Sequence, residues 1–289
     1  MKNIGVIIYT HNRVDDAKIN IEIIRNVWEA SGLFNNVKII HSFNGEKSWY
    51  PKKYLENDLV VLKNSWHFQG AADLIDAGIK RMSQYKDIDY VIVLAADTWL
   101  INSIYLNKLL TQMKEGEFRL ATCGWGLLEE NKIPKSGVAT DFFILDFKWV
   151  KKYKLFPINY SEFYKKYKDL FLYQNGGTPM LEKLFFSKFI KAIACEEKFD
   201  GSSRREALKK ILVMKERTPI HLKVDIKDNW IRKMYWPKIG LLTHHDPGPK
   251  KKILKKIGIK KGENIKKLIN STDLSYYNKG IRKTKNGSN

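Results

Sequence analysis

Two uninterrupted apolar runs, Ile4-Gly5-Val6-Ile7-Ile8-Tyr9 and Tyr90-Val91-Ile92-Val93-Leu94, constrain this chain more than any other feature. A strand with one face in water alternates apolar and polar residues, whereas a strand covered on both faces does not. Runs this short and rich in Ile and Val therefore predict central strands of a sheet with helices on both sides. Between them, Val37-Lys38-Ile39-Ile40 reads as a strand closed by the turn pair Asn44-Gly45, and Val60-Val61-Leu62 as a short one. Helical spacing fills the gaps, with Ile19, Ile21, Ile23, Ile24 and Val27 after Asp16. A second helix is predicted from about Gly70 to Tyr85 on Ala71, Leu74, Ile75, Ile79 and Met82. Strands alternating with helices give an α/β fold, and a β-sandwich is excluded.

The second half is less regular. Strands are expected at Arg119 to Thr122, Phe142 to Leu145, Pro219 to Val224 and Ile239 to Thr243, with helices starting at Trp149-Val150 and running from Leu181 to Ile190. Pro247-Gly248-Pro249 ends the compact part, so one domain is expected over residues 1–246 and a basic tail over 247–289. That tail holds 13 basic residues against Glu263 and Asp273, more than half of the chain's net charge of +21. Cys123 and Cys195 are too few for a disulfide framework or a thiolate zinc site, which suits a reducing compartment. The first apolar run breaks at Thr10 and is not followed by a signal cleavage pattern. No segment reaches the roughly 18 apolar residues of a membrane span.

In an open α/β sheet, ligands bind beyond the carboxyl ends of the strands. Three loops qualify: Thr10-His11-Asn12-Arg13, His41 to Gly45, and Ala95-Ala96-Asp97-Thr98. Asp97, directly after an apolar strand, is placed either to hold a hard cation bridging phosphate oxygens or to cap a helix following Thr98. Neither Gly-x-Gly-x-x-Gly nor Gly-x-x-x-x-Gly-Lys follows the first strand, which removes a dinucleotide fold and a P-loop. His67, in Trp66-His67-Phe68, is a lone histidine beside aromatics and on that ground is expected to pack among them. His244, in His244-His245-Asp246 after Ile239 to Thr243, reads by itself as part of a solvated strand end.

The order of these features resembles the GT-A glycosyltransferases, particularly family 2-like members, over roughly residues 4–246. The carriers are Ile4 to Arg13, the helix Gly70-Ala71-Ala72-Asp73-Leu74-Ile75-Asp76-Ala77-Gly78-Ile79, and Leu94-Ala95-Ala96-Asp97 in the place of the Asp-x-Asp motif. The resemblance implies a Rossmann-like, mixed and mainly parallel sheet flanked by helices. It also implies transfer of a sugar from a nucleotide-diphosphate donor to a glycan or lipid-linked acceptor, of the hexosyltransferase kind. Thr10, His11, Asn12, Arg13, Asn44, His67, Asp97 and Lys250 are then expected at the donor. Asp97 and His244 are expected on a divalent cation, Mn²⁺ or Mg²⁺. Asp141 is expected beside donor sugar or acceptor, and Glu182 is the nearest carboxylate for a base. Ala95 replaces the first aspartate of the motif, and Asn44 stands near where a base-gripping aspartate is expected.

The tail lysines between Lys250 and Lys261, interleaved with Ile253, Leu254, Ile257 and Ile259, suit an anionic lipid surface. Alternatively the first of them fold back on the donor diphosphate. A cytoplasmic protein, peripheral on the cytoplasmic membrane face, is expected. The rival from another class is a non-catalytic protein binding nucleic acid or anionic membrane. Nucleic acid is disfavoured as a partner because no helix-turn-helix, zinc or RNA-recognition signature accompanies the charge.

Overall fold

The computed structural model describes residues 1–11, 13–45, 58–62, 67–123, 140–167, 178–198, 203–214, 220–223, 232–236 and 239–244. Its centre is the pair foreseen from the apolar runs, β1 (Lys2–Thr10) and β4 (Tyr90–Ala95), which lie side by side and parallel. Beyond β1 come β2 (Phe34–Phe43) and β3 (Asp58–Val61), also parallel. On the other side β7 (Phe142–Asp146) runs antiparallel to both β4 and β6 (Leu120–Cys123), and β6 is parallel to β8 (Ile211–Met214). Among the described residues this gives a seven-stranded sheet in the order β3-β2-β1-β4-β7-β6-β8. The expected α/β class, with a mixed and mainly parallel sheet, is what the chain adopts.

Alternation along the central strands divides the core. Ile4, Val6 and Ile8 of β1 with Ile92 and Leu94 of β4 face a cluster that includes Ile21, Ile24 and Trp28 after β1, and Leu106, Leu109 and Leu110. Those residues come from α1 (Val14–Ile23), its continuation through a wider turn at Ile24–Trp28, and α3 (Ser103–Glu115), with α2 (His67–Met82) lying on the other face. There Ile7, Val91 and Val93 meet Ala72, Ile75, Ile79 and Met82 of α2. The same cluster takes Phe147, Trp149 and Val150 of α4 (Phe147–Lys152), Tyr160 of α5 (Tyr160–Tyr167), and Phe185 and Phe189 of α6 (Thr178–Glu197). α7 (Ser203–Lys209) leads into β8 and buries Ala207.

A second, four-stranded sheet has the order β5-β11-β10-β9, formed by β5 (Thr98–Leu100), β9 (Ile220–Lys223), β10 (Arg232–Trp236) and β11 (Leu241–His244). Two expectations change here. His41, Ser42 and Phe43 are buried residues of β2 and not a loop, because the parallel ladders to β1 and β3 continue to Phe43. Asp97 caps no helix: the chain re-enters a strand at Thr98, and α3 is capped by the Asn102 side chain, which accepts from the Tyr105 N–H at 2.9 Å. The helices expected from Trp149 and Leu181 begin earlier, at Phe147 and Thr178.

α2 lies against the sheet where Gly78 allows it. A Cβ there would sit 2.6 Å from Ile7 Cγ2 and 2.7 Å from Ser42 Oγ. Neither atom is the loose end of a flexible side chain, so the helix would have to move outward. Gly78→Val is expected to destabilise the fold by about 2 kcal/mol or more, the range for overpacking a close-packed core, read as a lower urea midpoint. An unchanged midpoint would show that this contact does not set the position of α2.

Candidate functional site

The polar residues gather where β1, β2 and β4 end and antiparallel β7 begins. β1 finishes at Thr10, whose carbonyl accepts the Asn44 N–H at 2.7 Å, while the Asn44 carbonyl meets His11 Nδ1 at 2.5 Å. The ends of β1 and β2 are thereby tied together, with Thr10 and Asn44 buried and His11 exposed. Thr10 Oγ1 is buried without a hydrogen-bond partner among the described residues. His41, farther back in β2, has its pKa pushed down to about 3 by burial, so its imidazole is neutral and structural.

Asp97 sits in the turn that joins the two sheets, and that turn is pinned from several sides. Ala95 N–H donates to the Asp141 carbonyl at 2.9 Å and Ala96 N–H to the Tyr9 carbonyl at 3.1 Å. The Trp99 indole N–H is shared between the Ala96 and Asp16 carbonyls, at 3.0 and 3.2 Å. Asn20 Nδ2 donates to the Thr98 carbonyl at 2.9 Å, and Trp28 Nε1 to the Leu100 carbonyl at 2.8 Å. Helix α1 and the segment that continues it thus hold the turn from one face. On this fixed turn the Asp97 carboxylate forms an ion pair with Arg13, the residue that precedes α1. Both are largely buried, with side chains 26% and 15% exposed for Arg13 and Asp97.

The other half of the rim carries carboxyl groups. Tyr9, half-buried near the end of β1, donates its hydroxyl to the Thr140 carbonyl at 3.3 Å. Its pKa is raised well above the usual phenol value by burial, then by the negative charge of Asp141. Arg13 and Glu182 also act on this phenol, so the four residues share one neighbourhood. Glu182, in the second turn of α6, is pushed up to about 8 by desolvation and by Asp141. It is therefore protonated at neutral pH and would accept a proton only in more alkaline solution. Sequence reasoning placed Asp141 and Glu182 in the site but not Tyr9, which looked like the last residue of a buried strand.

The second sheet brings the far end of the chain to the same turn. Leu241, Leu242 and Thr243 pair with Leu100, Trp99 and Thr98. That pairing ends at Thr243 with Thr98, so His244 is the next residue in the chain after the one paired beside the turn that carries Asp97. The His244 and His67 side chains lie outside the described residues, as do Asn12, Lys250 and the rest of the tail. Among the described residues no group of three or more His, Cys, Asp or Glu side chains is arranged to hold a metal. Ala95 offers no oxygen from its side chain, and Asp97 is already engaged by a guanidinium. The described donors therefore do not fit a resident Mn²⁺ or Mg²⁺.

No protein-family model and no curated protein matches the chain. The solved structures it is similar to include glycosyltransferases. S. aureus TarS 1-349 in complex with UDP is 13% identical with a TM-score of 0.42, over 75% of this chain and 59% of that one. The glycosyltransferase GlyE of Streptococcus pneumoniae TIGR4 is 12% identical with a TM-score of 0.37, over 75% and 46%. Mannosyltransferase PcManGT from Pyrobaculum calidifontis, in complex with GDP-Man and Mn²⁺, is 8% identical with a TM-score of 0.36, over 52% and 46%. The match spans about half the length of these chains, and their nucleotides and metal are properties of those proteins.

Glu182 makes the stability of the fold depend on pH with a definite sign. Its folded-state pKa of about 8 lies above the ordinary 4.5. The native state therefore keeps a proton that the unfolded chain gives up, and stability falls as pH rises between those values. Glu182→Gln removes this dependence. The urea midpoint of the variant should gain on that of the parent from about pH 5 to pH 8 and run parallel above; a constant difference across that range would refute the raised pKa.

Proposed function

We propose that the chain is a glycosyltransferase that moves a sugar from a nucleotide-diphosphate donor to a hydroxyl of a glycan or lipid-linked acceptor. The observation that carries this reading is the convergence at one sheet rim of a cationic group, Arg13, with the carboxyl groups of Asp97, Asp141 and Glu182. Such a transfer needs two things at neighbouring points. Positive charge must meet the diphosphate as its bond to the anomeric carbon breaks, and a carboxylate must take the proton of the attacking hydroxyl. Arg13 and Asp141 supply groups of these two kinds.

In this reading Thr10, His11, Arg13 and Asn44 bind the donor, and the pinned β4–β5 turn orients its diphosphate through Asp97. Asn12, His67 and Lys250 are proposed for the same end of the site. Asp141 accepts the proton of the acceptor hydroxyl, while Glu182, protonated at neutral pH, flanks it as a hydrogen-bond donor and becomes a base only at higher pH. Holding donor and acceptor in line lowers the barrier by fixing their approach. His244 is proposed to face the same donor end because it directly follows Thr243, which pairs with Thr98 beside Asp97.

Two measurements test the reading. UDP or GDP should raise the melting temperature, since a ligand that binds only the native state stabilises it, and turnover of the matching sugar nucleotide should follow. Asp141→Asn should lower kcat by about 10²- to 10⁴-fold, the span for removing a general base, with melting unchanged. Polynucleotide binding that weakens with salt, together with indifference to nucleoside diphosphates, would favour the non-catalytic alternative instead.

The seven lysines from Lys250 to Lys261 are proposed to meet anionic lipid, with the protein peripheral on the cytoplasmic face of a membrane. At about 1 kcal/mol for each lysine near such a surface, truncation after Pro249 should release the protein from phosphatidylserine vesicles while leaving turnover of a soluble acceptor intact. Vesicle binding that survives the truncation would refute this role.

A further inference from the structure

We propose that Arg13, held on Asp97, takes the place of the divalent cation at the donor diphosphate, so that nucleotide binding needs no added metal. This rests on the donor site proposed above and goes beyond it by naming the group that neutralises the phosphates.

Position argues first. Arg13 follows the end of β1 and immediately precedes α1, and its carbonyl accepts the Ala17 N–H at 3.1 Å. A guanidinium there stands at the positive end of a ten-residue helix, where an anion is already favoured. Its partner is carried by a turn that α1 itself secures through Asn20 and through the Asp16 carbonyl. Guanidinium and carboxylate are thus fixed by one helix, and the former is partly exposed at the rim.

Chemistry argues second. A hard cation on a diphosphate takes several oxygen ligands at a rim, with at least one carboxylate supplied by the protein. Here Ala95 contributes a methyl group, buried at 7% exposure. The one described carboxylate of the β4–β5 turn, Asp97, is bound to Arg13. A divalent ion would have to break that pair and then sit beside the displaced positive charge. The guanidinium, by contrast, is permanently charged and planar, with a fork of N–H donors that matches phosphate oxygens. Asp97 is accordingly a positioning residue that orients Arg13, and its own charge is not required by the phosphates.

The two roles for Asp97 separate in a binding experiment on the full chain. UDP and GDP are titrated calorimetrically in excess EDTA and again in Mn²⁺, with the parent, Arg13→Gln, Asp97→Asn and the double variant, each first checked by thermal melting. The parent should bind one of the two nucleotides with the same Kd, within about threefold, in either condition. Arg13→Gln should weaken it by about tenfold to a hundredfold in both, the size expected for a lost charged hydrogen bond. Asp97→Asn, which loosens the guanidinium without removing it, should weaken binding less than Arg13→Gln does and by the same factor in EDTA as in Mn²⁺. The double variant, which leaves no unpaired charge, should show the loss of Arg13→Gln and so covers the case in which the single variant folds poorly.

Binding that appears only with Mn²⁺, is abolished by Asp97→Asn and is strengthened by Arg13→Gln would overturn the inference and leave the donor site standing. If neither nucleotide binds the parent in either condition, the donor site falls and the inference falls with it.

Discussion

Everything in this fold depends on the covering of β1 and β4 from both sides. Strands without a solvent face must be apolar along their length, so their polar chemistry is confined to their ends. Ile4, Val6 and Ile8 look one way and Ile7 the other, and each side has a helical layer to meet them. The helices then cannot shift freely, because Gly5 lies against Met82 and Gly78 against Ile7. The rim that holds Thr10, Asn44, Asp97 and Asp141 is where this apolar constraint stops.

At that rim the backbone carries most of the organisation. Tyr9, Thr10, Asn44, Ala95, Ala96 and Asp141 exchange main-chain hydrogen bonds across the ends of four strands before any side chain contributes. Two indoles and an amide then hold the β4–β5 turn to α1 and the segment that continues it. A buried carbonyl without a donor would cost about 1–3 kcal/mol, so Trp28, Trp99 and Asn20 are as much a part of the site's construction as Asp97. A separate charge network, Arg119 with Asp146 and Glu196, joined by the Trp149 indole, ties α6 to β6 and β7 at the opposite edge.

The legible part of the sequence was that governed by local pattern. Continuous Ile and Val runs showed the central strands, and the position of Asp97 after Leu94 showed the rim. What depends on distant pairing was not legible. Thr98–Leu100 is three residues long and becomes a strand only because β11 lies beside it, which is why Asp97 read equally well as a helix cap. β10 begins with Arg232 and Lys233 and carries only the short run Met234-Tyr235-Trp236, while the four apolar residues of β8 suit a helix as well as a strand. The same limit hid the ion pair of Arg13 with Asp97 and the proximity of Tyr9 to Glu182, since charge partners across a fold leave no trace in spacing. His41 looked like a loop residue because histidine is polar, yet burial keeps it neutral inside β2.

The reversal of β7 has a consequence of its own. In the parallel strands the rim is reached when the strand ends, so a rim residue such as Thr10 is followed by a loop free to lengthen without disturbing the ladder behind it. β7 meets the rim with its first residues, and Asp141 stands directly ahead of the ladder that begins with Phe142 against Leu94. Its carbonyl is already spent on the Ala95 N–H. Insertions can therefore accumulate before Asp141 but not after it, and a lineage of such proteins could exchange whatever recognises one partner for another while the carboxylate itself keeps its address.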